Sequence, residues 1–213
     1  MIEVILCDDH ALIRRGIRDT LSDAPDIQVD GEAGDYGELR NLLREGRRCD
    51  VLVLDINLPG RSGLDVLAAL KDEGSAIRVL VVSMYPEDQY AIRALRAGAF
   101  GYVNKGGDPQ LLVQAVRTVA QGRKYVTPEI AQMLVESLTT PQSENPHDKL
   151  SDRELQTLVL IASGKRLSDI AVELNLSPKT VSVYRARVLE KLQLSNNAEL
   201  TVYAIRNALV GAQ

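Results

Sequence analysis

Apolar residues in the first 122 positions switch repeatedly between two spacings. Short, nearly continuous apolar runs read as strands at Val4–Cys7, Ile27–Ala33, Val51–Leu54, Val79–Val82 and Gly101–Val103. Elsewhere apolar residues recur every three or four positions, which places them on one face of a helix. Ile13, Ile17 and Leu21 form one such stripe, and Leu64, Leu67 and Leu70 a second. Ala91, Leu95 and Ala99, with Ile92, form a third. Leu112, Val116 and Val119, with Ala115, form a fourth that ends near Gly122. Strand alternating with helix predicts a five-stranded parallel sheet, doubly wound, with helices on both faces. The runs at 4–7, 51–54 and 79–82 are almost wholly apolar, as strands covered on both faces must be.

That fold predicts where chemistry should lie. Open α/β sheets bind ligands beyond the carboxyl ends of their strands, near the point where strand order reverses. Asp8, Asp9, Asp55, Ser83 and Lys105 all fall at such ends. Three carboxylates and an ammonium brought together are costly unless a divalent cation or a phosphoryl group completes the cluster. As a phosphoryl acceptor, the site needs a carboxylate nucleophile, a Mg2+ ion and a cation for the transferred group. Asp55 would be the nucleophile. Asp8 and Asp9 would hold Mg2+ with Asp55, and the backbone carbonyl of Asn57 would add an oxygen. Lys105 would pair with the carboxylate and then with phosphoryl oxygens, and the Ser83 hydroxyl would bond to the phosphoryl group. Taken singly these residues have plainer roles. Asp8 or Asp9 serves equally well as a helix cap, and an isolated lysine is usually a solvated loop residue. Asp55 is a poor cap, because Leu58-Pro59-Gly60 intervenes before the next helical stripe.

The rear of the chain is helical throughout. A short pattern, Pro128–Leu138, carries Ile130, Leu134 and Leu138 at i+4 spacing. Residues 139–148 contain two prolines and no large apolar residue, which predicts a flexible linker. Three segments follow: a first domain over 1–122, a linker with a short helix over 123–147, and a second domain over 148–213. In the second domain, Ser151 and Glu154 fit a capping box. That box opens a helix burying Leu155, Leu158, Val159 and Ala162, which Gly164 stops. A helix over Leu167–Leu174 and the turn Asn175-Leu176-Ser177 come next. Ser177 then caps a third helix with Pro178 in its first turn, running to about Leu192. A last helix covers Ala198–Val210. Two short helices joined by a three-residue turn form a helix-turn-helix. The third helix turns Lys179, Ser182, Val183, Ala186 and Arg187 away from Val181 and Val188. Its small residues would let the backbone approach a major groove, and its capped N-terminus would meet a phosphate.

Residues 1–122 resemble the receiver domains of two-component response regulators. The resemblance rests on Asp8-Asp9, Asp55 within Leu-Asp-Ile-Asn-Leu-Pro-Gly, Ser83, Gly101-Tyr102 and Lys105. It implies that Asp55 is phosphorylated by a sensor histidine kinase, or through a phosphotransfer protein, with Mg2+ as cofactor. It also implies that Ser83 and Tyr102 form a switch pair. Lys105 lacks the proline that follows it in many receivers. Residues 148–211 resemble the LuxR-type helix-turn-helix of the NarL/FixJ family, through Leu150-Ser151-Asp152-Arg153-Glu154, Ile170-Ala171, Leu176–Ser182 and Lys191-Leu192. Two departures stand out: Arg166-Leu167-Ser168-Asp169 precedes Ile170-Ala171, and Tyr184 occupies a position often held by histidine. The resemblance implies base-facing roles for Ser182, Val183 and Ala186, none of which can make the bidentate guanine contact of an arginine. It implies phosphate contacts for Lys179, Thr180, Tyr184, Arg185, Arg187 and Lys191, which position without specifying.

Charge adds an asymmetry. Residues 1–122 carry 14 Lys/Arg against 19 Asp/Glu, and residues 146–213 carry 9 against 7. The mildly basic rear does not by itself imply nucleic acid. With 45% hydrophobic residues, no apolar run near the ~18 needed to span a membrane and no signal sequence, a cytoplasmic protein is expected. Cys7 and Cys49 are expected as free thiols. The implied partners are the kinase, promoter DNA, a second copy when phosphorylated and, for activation, RNA polymerase. A non-enzyme is expected. A phosphohydrolase of this kind needs an acid/base two residues after the nucleophile, and Asn57 cannot serve. A DNA binder with a vestigial receiver would not need all five site residues.

Overall fold

The computed structural model describes residues 1–85, 87–139 and 145–210. The chain forms two compact units, divided between Thr139 and Thr140.

In the first unit, strands β1 (Ile2–Cys7), β2 (Ile27–Ala33), β3 (Val51–Asp55), β4 (Arg78–Ser83) and β5 (Gly101–Asn104) form one sheet in the order β2-β1-β3-β4-β5. All four pairings are parallel. Each expected strand is present, and four of the five extend by a residue or two. The chain reverses its direction of winding between β1 and β3, so a crevice opens beyond the carboxyl ends of these two strands. Register brings the site residues there: Cys7 pairs with Leu54, Asp55 with Val82 and Ser83 with Asn104. Asp8 and Lys105 are therefore the first residues past the ends of β1 and β5.

Helices α1 (Ala11–Ser22), α2 (Tyr36–Arg44), α3 (Gly63–Asp72), α4 (Glu87–Ala97) and α5 (Pro109–Ala120) follow the strands in turn. On the face covered by α1 and α5, Val4, Leu6, Val51, Val53, Leu80, Val82 and Val103 pack against Leu21, Leu112, Ala115, Val116 and Val119. Full burial of such a side chain contributes about 1.5–3 kcal/mol. A dozen of them outweigh the several kcal/mol per ion needed to hold a few charges at the sheet's end.

Two helices depart from the apolar stripes. The stripe of α2, Leu39 with Leu42 and Leu43, is short and follows Gly34-Asp35-Tyr36-Gly37, which reads as a turn. Caps fix its start: Asp35 accepts the Glu38 N–H at 2.8 Å, and Glu38 accepts the Gly34 N–H at 2.6 Å. Leu39 then fixes it to the core. In α4 the buried face is Tyr90, Ala91 and Ala94, while Leu95 is only partly covered and Ala99 lies past the helix end. Gly98 at φ 115° turns the chain out of the helix there.

After α5 the chain adds a short strap to the open edge of the sheet. Tyr125 donates its N–H to the Phe100 carbonyl at 2.8 Å and bridges to Gly101. A Cβ on Gly101 would lie 2.9 Å from the Tyr125 carbonyl oxygen, so this close approach requires glycine. Helix α6 (Pro128–Thr139) then packs on α4, with Ile130 fully buried and Leu134 partly so; the Leu138 side chain lies outside the described residues. Residues 123–139 thus belong with the first unit, whereas the sequence places them in the linker. The 140–144 part of that linker lies outside the described residues.

The second unit begins with a 3-10 turn (Pro146–Lys149), followed by α7 (Asp152–Ala162), α8 (Leu167–Glu173), α9 (Pro178–Leu192) and α10 (Asn197–Arg206). The capping box at α7 forms in both directions: Ser151 donates its N–H to Glu154 at 2.8 Å, and its hydroxyl accepts the Glu154 N–H at 3.4 Å. Ser177 caps α9 by accepting the Thr180 N–H at 3.1 Å, with Pro178 in the first turn. Helix α9 stops where Gln193 takes the left-handed conformation, at φ 56°. Leu155, Leu158, Ile170, Ala171, Leu174, Val181, Val188, Leu200 and Ala204 are buried, Ala162 is half-buried, and α7 packs on both α9 and α10.

Candidate functional site

Asp8, Asp55 and Lys105 meet at the crevice of the sheet. The Lys105 ammonium lies 2.7 Å from Asp8 Oδ2 and 2.8 Å from Asp55 Oδ2, and all three side chains are at most 4% exposed. Two carboxylates thus share one ammonium out of water. Burial pushes the Asp55 carboxyl up to about 6; Lys105 opposes the rise, Asp8 adds to it and the Asn57 N–H opposes it. The same burial, with the nearby Asp55 and Asp8 charges, holds the Cys7 thiol at about 12. Cys49, also free, is held at about 12 by burial. Neither thiol is an available ligand near neutral pH.

The loop after β3 is fitted tightly to this cluster. Gly63 donates its N–H to the Ile56 carbonyl at 2.8 Å, and a Cβ there would stand 2.0 Å from the Asp55 carbonyl oxygen. Only glycine allows α3 to start so close to the end of β3. Ser62, fully buried, caps α3 through the Leu64 N–H at 3.2 Å.

Asp9 enters the cluster through a residue the sequence reading passed over. His10 Nδ1 lies 2.6 Å from Asp9 Oδ1 and 3.7 Å from Asp8 Oδ1. One donor atom from each of Asp8, Asp9, His10 and Asp55 falls within 4.8 Å of the other three. A donor set of three hard carboxylates beside a crevice fits Mg2+.

Ser83 and Tyr102 hold the backbone of the same residue, Tyr85, one at its N–H and the other at its carbonyl. Ser83 Oγ accepts the Tyr85 N–H at 3.1 Å, and the Tyr102 hydroxyl donates to the Tyr85 carbonyl at 2.7 Å. Asn104 Nδ2 donates to that carbonyl as well, at 3.1 Å. Ser83 and the Tyr102 ring are fully buried, and the Tyr85 ring stacks on Tyr90 with centroids 4.7 Å apart. Tyr85 and Asn104 were not singled out from the sequence. A backbone acceptor leaves no side-chain signature, and Asn104 reads as a strand end.

On α9 the outer face is mixed. Lys179, Ser182, Val183, Ala186 and Arg187 are exposed, with Thr180, Tyr184 and Arg185 half-buried. Thr180 Oγ1 is 2.8 Å from the Ser177 hydroxyl. Arg185 donates from Nε to Asn197 Oδ1 at 2.6 Å, and Lys191 Nζ is 2.6 Å from the buried Glu154 carboxylate. Burial would raise the Glu154 carboxyl, but the bonds from Lys191 and the Ser151 N–H outweigh it and leave it below its ordinary value. Lys191, expected at a phosphate, is thus engaged inside its own unit.

Comparison with known proteins bears on both units. Residues 4–117 match the family described as the response regulator receiver domain, and residues 148–204 match bacterial regulatory proteins of the luxR family. The response regulator GacA of Pseudomonas aeruginosa is 40% identical over 213 residues, covering 100% of this chain and 99% of GacA. The response regulator UvrY of Escherichia coli is 38% identical, covering 100% and 98%. Among solved structures, RcsB of Salmonella enterica serovar Typhimurium, bound to promoter rprA with the phosphomimetic BeF3−, is 28% identical. It matches over 95% of this chain and 97% of its own, with a TM-score of 0.63. Among the described residues no helix is long and apolar enough to cross a membrane.

Proposed function

The chain belongs to the response regulators that join a receiver domain to a LuxR-type DNA-binding domain, regulators of transcription under phosphorylation control, and from this we propose that Asp55 is the residue that takes the phosphoryl group. The observation that carries the reading is the Asp8–Lys105–Asp55 arrangement: a buried carboxylate next to a shared ammonium, at the mouth of the crevice. An Asp55 Oδ attacks the phosphorus of a kinase or phosphotransfer-protein phosphohistidine. The O–P bond forms as the N–P bond breaks, and the imidazole leaves. Lys105 offers its charge to the transferred oxygens, and the low-polarity surroundings strengthen that attraction. Asp8, Asp9, Asp55 and the Asn57 carbonyl would hold Mg2+, which would supply neutralisation of the phosphoryl charge. With Asn57 in place of an acid/base, Asp55 acts as an acceptor rather than as a turnover catalyst.

Ser83 is then the hydroxyl that turns to the acyl phosphate. In doing so it releases the Tyr85 N–H, and Tyr102 and Asn104 respond through the carbonyl of the same residue. The output is binding of promoter DNA by α9 in a cytoplasmic protein. Lys179, Thr180, Tyr184 and Arg187 lie along the phosphates, and Ser182, Val183 and Ala186 face the bases. Arg185 and Lys191 reach phosphates only by giving up Asn197 and Glu154. Promoter engagement by RcsB, a relative with both domains, supports this reading, as does the two-half-site geometry of dimeric helix-turn-helix proteins. We read the phosphorylated protein as a homodimer, with RNA polymerase as its partner where it activates.

The test is phosphate uptake from a small phosphodonor with Mg2+. The wild-type chain should gain acid-labile phosphate and Asp55→Asn should gain none. Uptake by Asp55→Asn at the wild-type rate would sink the assignment.

A further inference from the structure

We infer that Arg14 is a positioning residue of the phosphoacceptor site. It ties the backbone of Asp8 to the end of β2, so that the Asp8 carboxylate stays in the crevice when Lys105 turns from it to the phosphoryl group. The inference rests on the reading of Asp55 as the acceptor, and it names a side chain outside the acidic cluster. Asp8 lies one residue past the end of β1. A carboxylate in such a place keeps its direction only if the chain beneath it is held.

The holding is done from β2. Asp8 donates its N–H to the Ala33 carbonyl at 3.0 Å. Its own carbonyl accepts a bond from Arg14 Nη1, and Arg14 donates from Nε to Glu32 Oε2 at 3.2 Å. Both main-chain polar groups of Asp8 are thus tied to the last two residues of β2, one directly and one through the guanidinium. One extra residue in β2 arranges this. Val4 pairs with Val29 but Ile5 with Gly31, so Asp30 is bulged out and Glu32 falls opposite Leu6. Leu6 belongs to the face covered by α1 and α5. Without the bulge Glu32 would stand opposite Cys7 and turn to the other face, away from Arg14. Asp8 Oδ1 accepts the His10 N–H at 2.8 Å, which leaves Oδ2 for Lys105 at 2.7 Å.

An ion pair that merely pinned α1 to β2 would need no bond to Asp8. Arg18, one turn on, makes such a pair: its Nη1 lies 2.9 Å from Glu32 Oε1, and its Nε lies 3.4 Å from Asp19. Arg14 instead commits one arm of its fork to a neutral carbonyl, and with its side chain 19% exposed it does so largely out of water. A guanidinium presents its donors in a rigid plane, so bonds to two partners fix the direction of both, which a single ammonium does not do. The clamp matters most when Lys105 swings to the transferred oxygens. Asp8 then loses its ammonium partner, and a free backbone would let the carboxylate turn to water. Held, it stays where a divalent cation would need it.

The test compares Arg14→Ala with Arg18→Ala in the full chain, since both remove an arginine of α1 from Glu32 and only the first touches Asp8. Amide hydrogen exchange without metal should quicken at Asp8 and His10 by at least about tenfold in Arg14→Ala and by less than about twofold in Arg18→Ala, as expected when a hydrogen bond from a charged group is lost only in the first. Phosphate uptake from a small phosphodonor should need about 10–100-fold more Mg2+ to reach half its limiting rate in Arg14→Ala, with the limiting rate within about threefold of wild type. Arg18→Ala should lower the urea midpoint and leave that Mg2+ requirement unmoved. If Arg14→Ala does not fold, Arg14→Lys takes its place, because its ammonium keeps a charge opposite Glu32 without the second arm, and the same two shifts are expected. Exchange unchanged at Asp8 and His10, or a Mg2+ requirement unmoved, would make Arg14 merely structural and overturn the inference, as would an equal shift in Arg18→Ala. Those outcomes leave the Asp55 reading standing, whereas a wild-type chain that takes up no phosphate overturns both.

Discussion

Charge is handled in opposite ways at the two ends of this chain. At the first, Asp8, Asp55 and Lys105 are buried and hold one another, so position is dictated and the Asp55 carboxyl is far from ordinary. On the outer face of α9, Lys179 and Arg187 are exposed on a helix that is anchored from behind by Val181, Val188 and Leu192. The first arrangement suits a reaction that needs one geometry. The second suits a long polyanion met by many weak contacts. The comparison also reassigns Lys191, which lies on the helix with the exposed cations but behaves like Lys105, with a buried carboxylate as partner.

The largest effect should come from Lys105→Met. It leaves two buried carboxylates facing each other, and loss of one partner of a buried ion pair costs about 3–5 kcal/mol. Urea unfolding without Mg2+ measures it, and a loss below about 1 kcal/mol would mean that the cluster is far wetter than its burial implies. Gly63→Ala comes next, at about 2–4 kcal/mol, because a Cβ at 2.0 Å from the Asp55 carbonyl oxygen forces α3 away from β3. Phosphate uptake should fall with it even where the variant remains folded.

A third prediction has the opposite sign. The Asp55 carboxyl titrates at about 6 in the native state, above its ordinary 3.8. The native state therefore binds this proton more readily than the unfolded chain does. Ionised Asp55 costs stability above pH 6, and the cost fades as pH falls from 6 towards 4. Without metal, Asp55→Asn should thus be more stable than wild type by about 1–3 kcal/mol at pH 8. The gain should shrink through pH 6 and be nearly gone at pH 4. An equal gain at every pH would remove the electrostatic explanation.

The smallest effects separate the two kinds of lysine on α9. Lys191→Ala should lower stability by about 1 kcal/mol, since it strips a hydrogen-bonded partner from buried Glu154. Lys179→Ala should leave stability within about 0.5 kcal/mol. It should instead reduce the slope of log affinity for promoter DNA against log salt by about 1. If the two variants exchanged these signatures, the division between held and free charge on α9 would be wrong.

Much of this could be read from the chain, and the failures share a cause. Strands with continuous apolar runs were found because burial on both faces leaves a plain pattern, and Asp8, Asp55 and Lys105 followed once those strands were laid in parallel. Helix α2 escaped because its stripe, Leu39 with Leu42 and Leu43, spans little more than one turn behind a glycine-rich turn. The α4 stripe was displaced because Tyr90 is fully buried, whereas Leu95 is only partly covered. His10, Gly63 and Tyr85 escaped for a related reason. Each acts through something periodicity does not record: the direction of a ring, the absence of a Cβ, and a peptide group used in place of a side chain.

The backbone of Tyr85, held at both its N–H and its carbonyl, has a genetic consequence. Since Ser83, Tyr102 and Asn104 all reach for its backbone, nineteen of the twenty amino acids supply what they need at position 85. Proline alone lacks the N–H. Position 85 should drift more readily than positions 83 and 102 on either side of the contact, with ring stacking on Tyr90 the chief thing lost. A library of substitutions there should show one sharp exclusion within a broad tolerance, and a residue near the centre of the device would look dispensable.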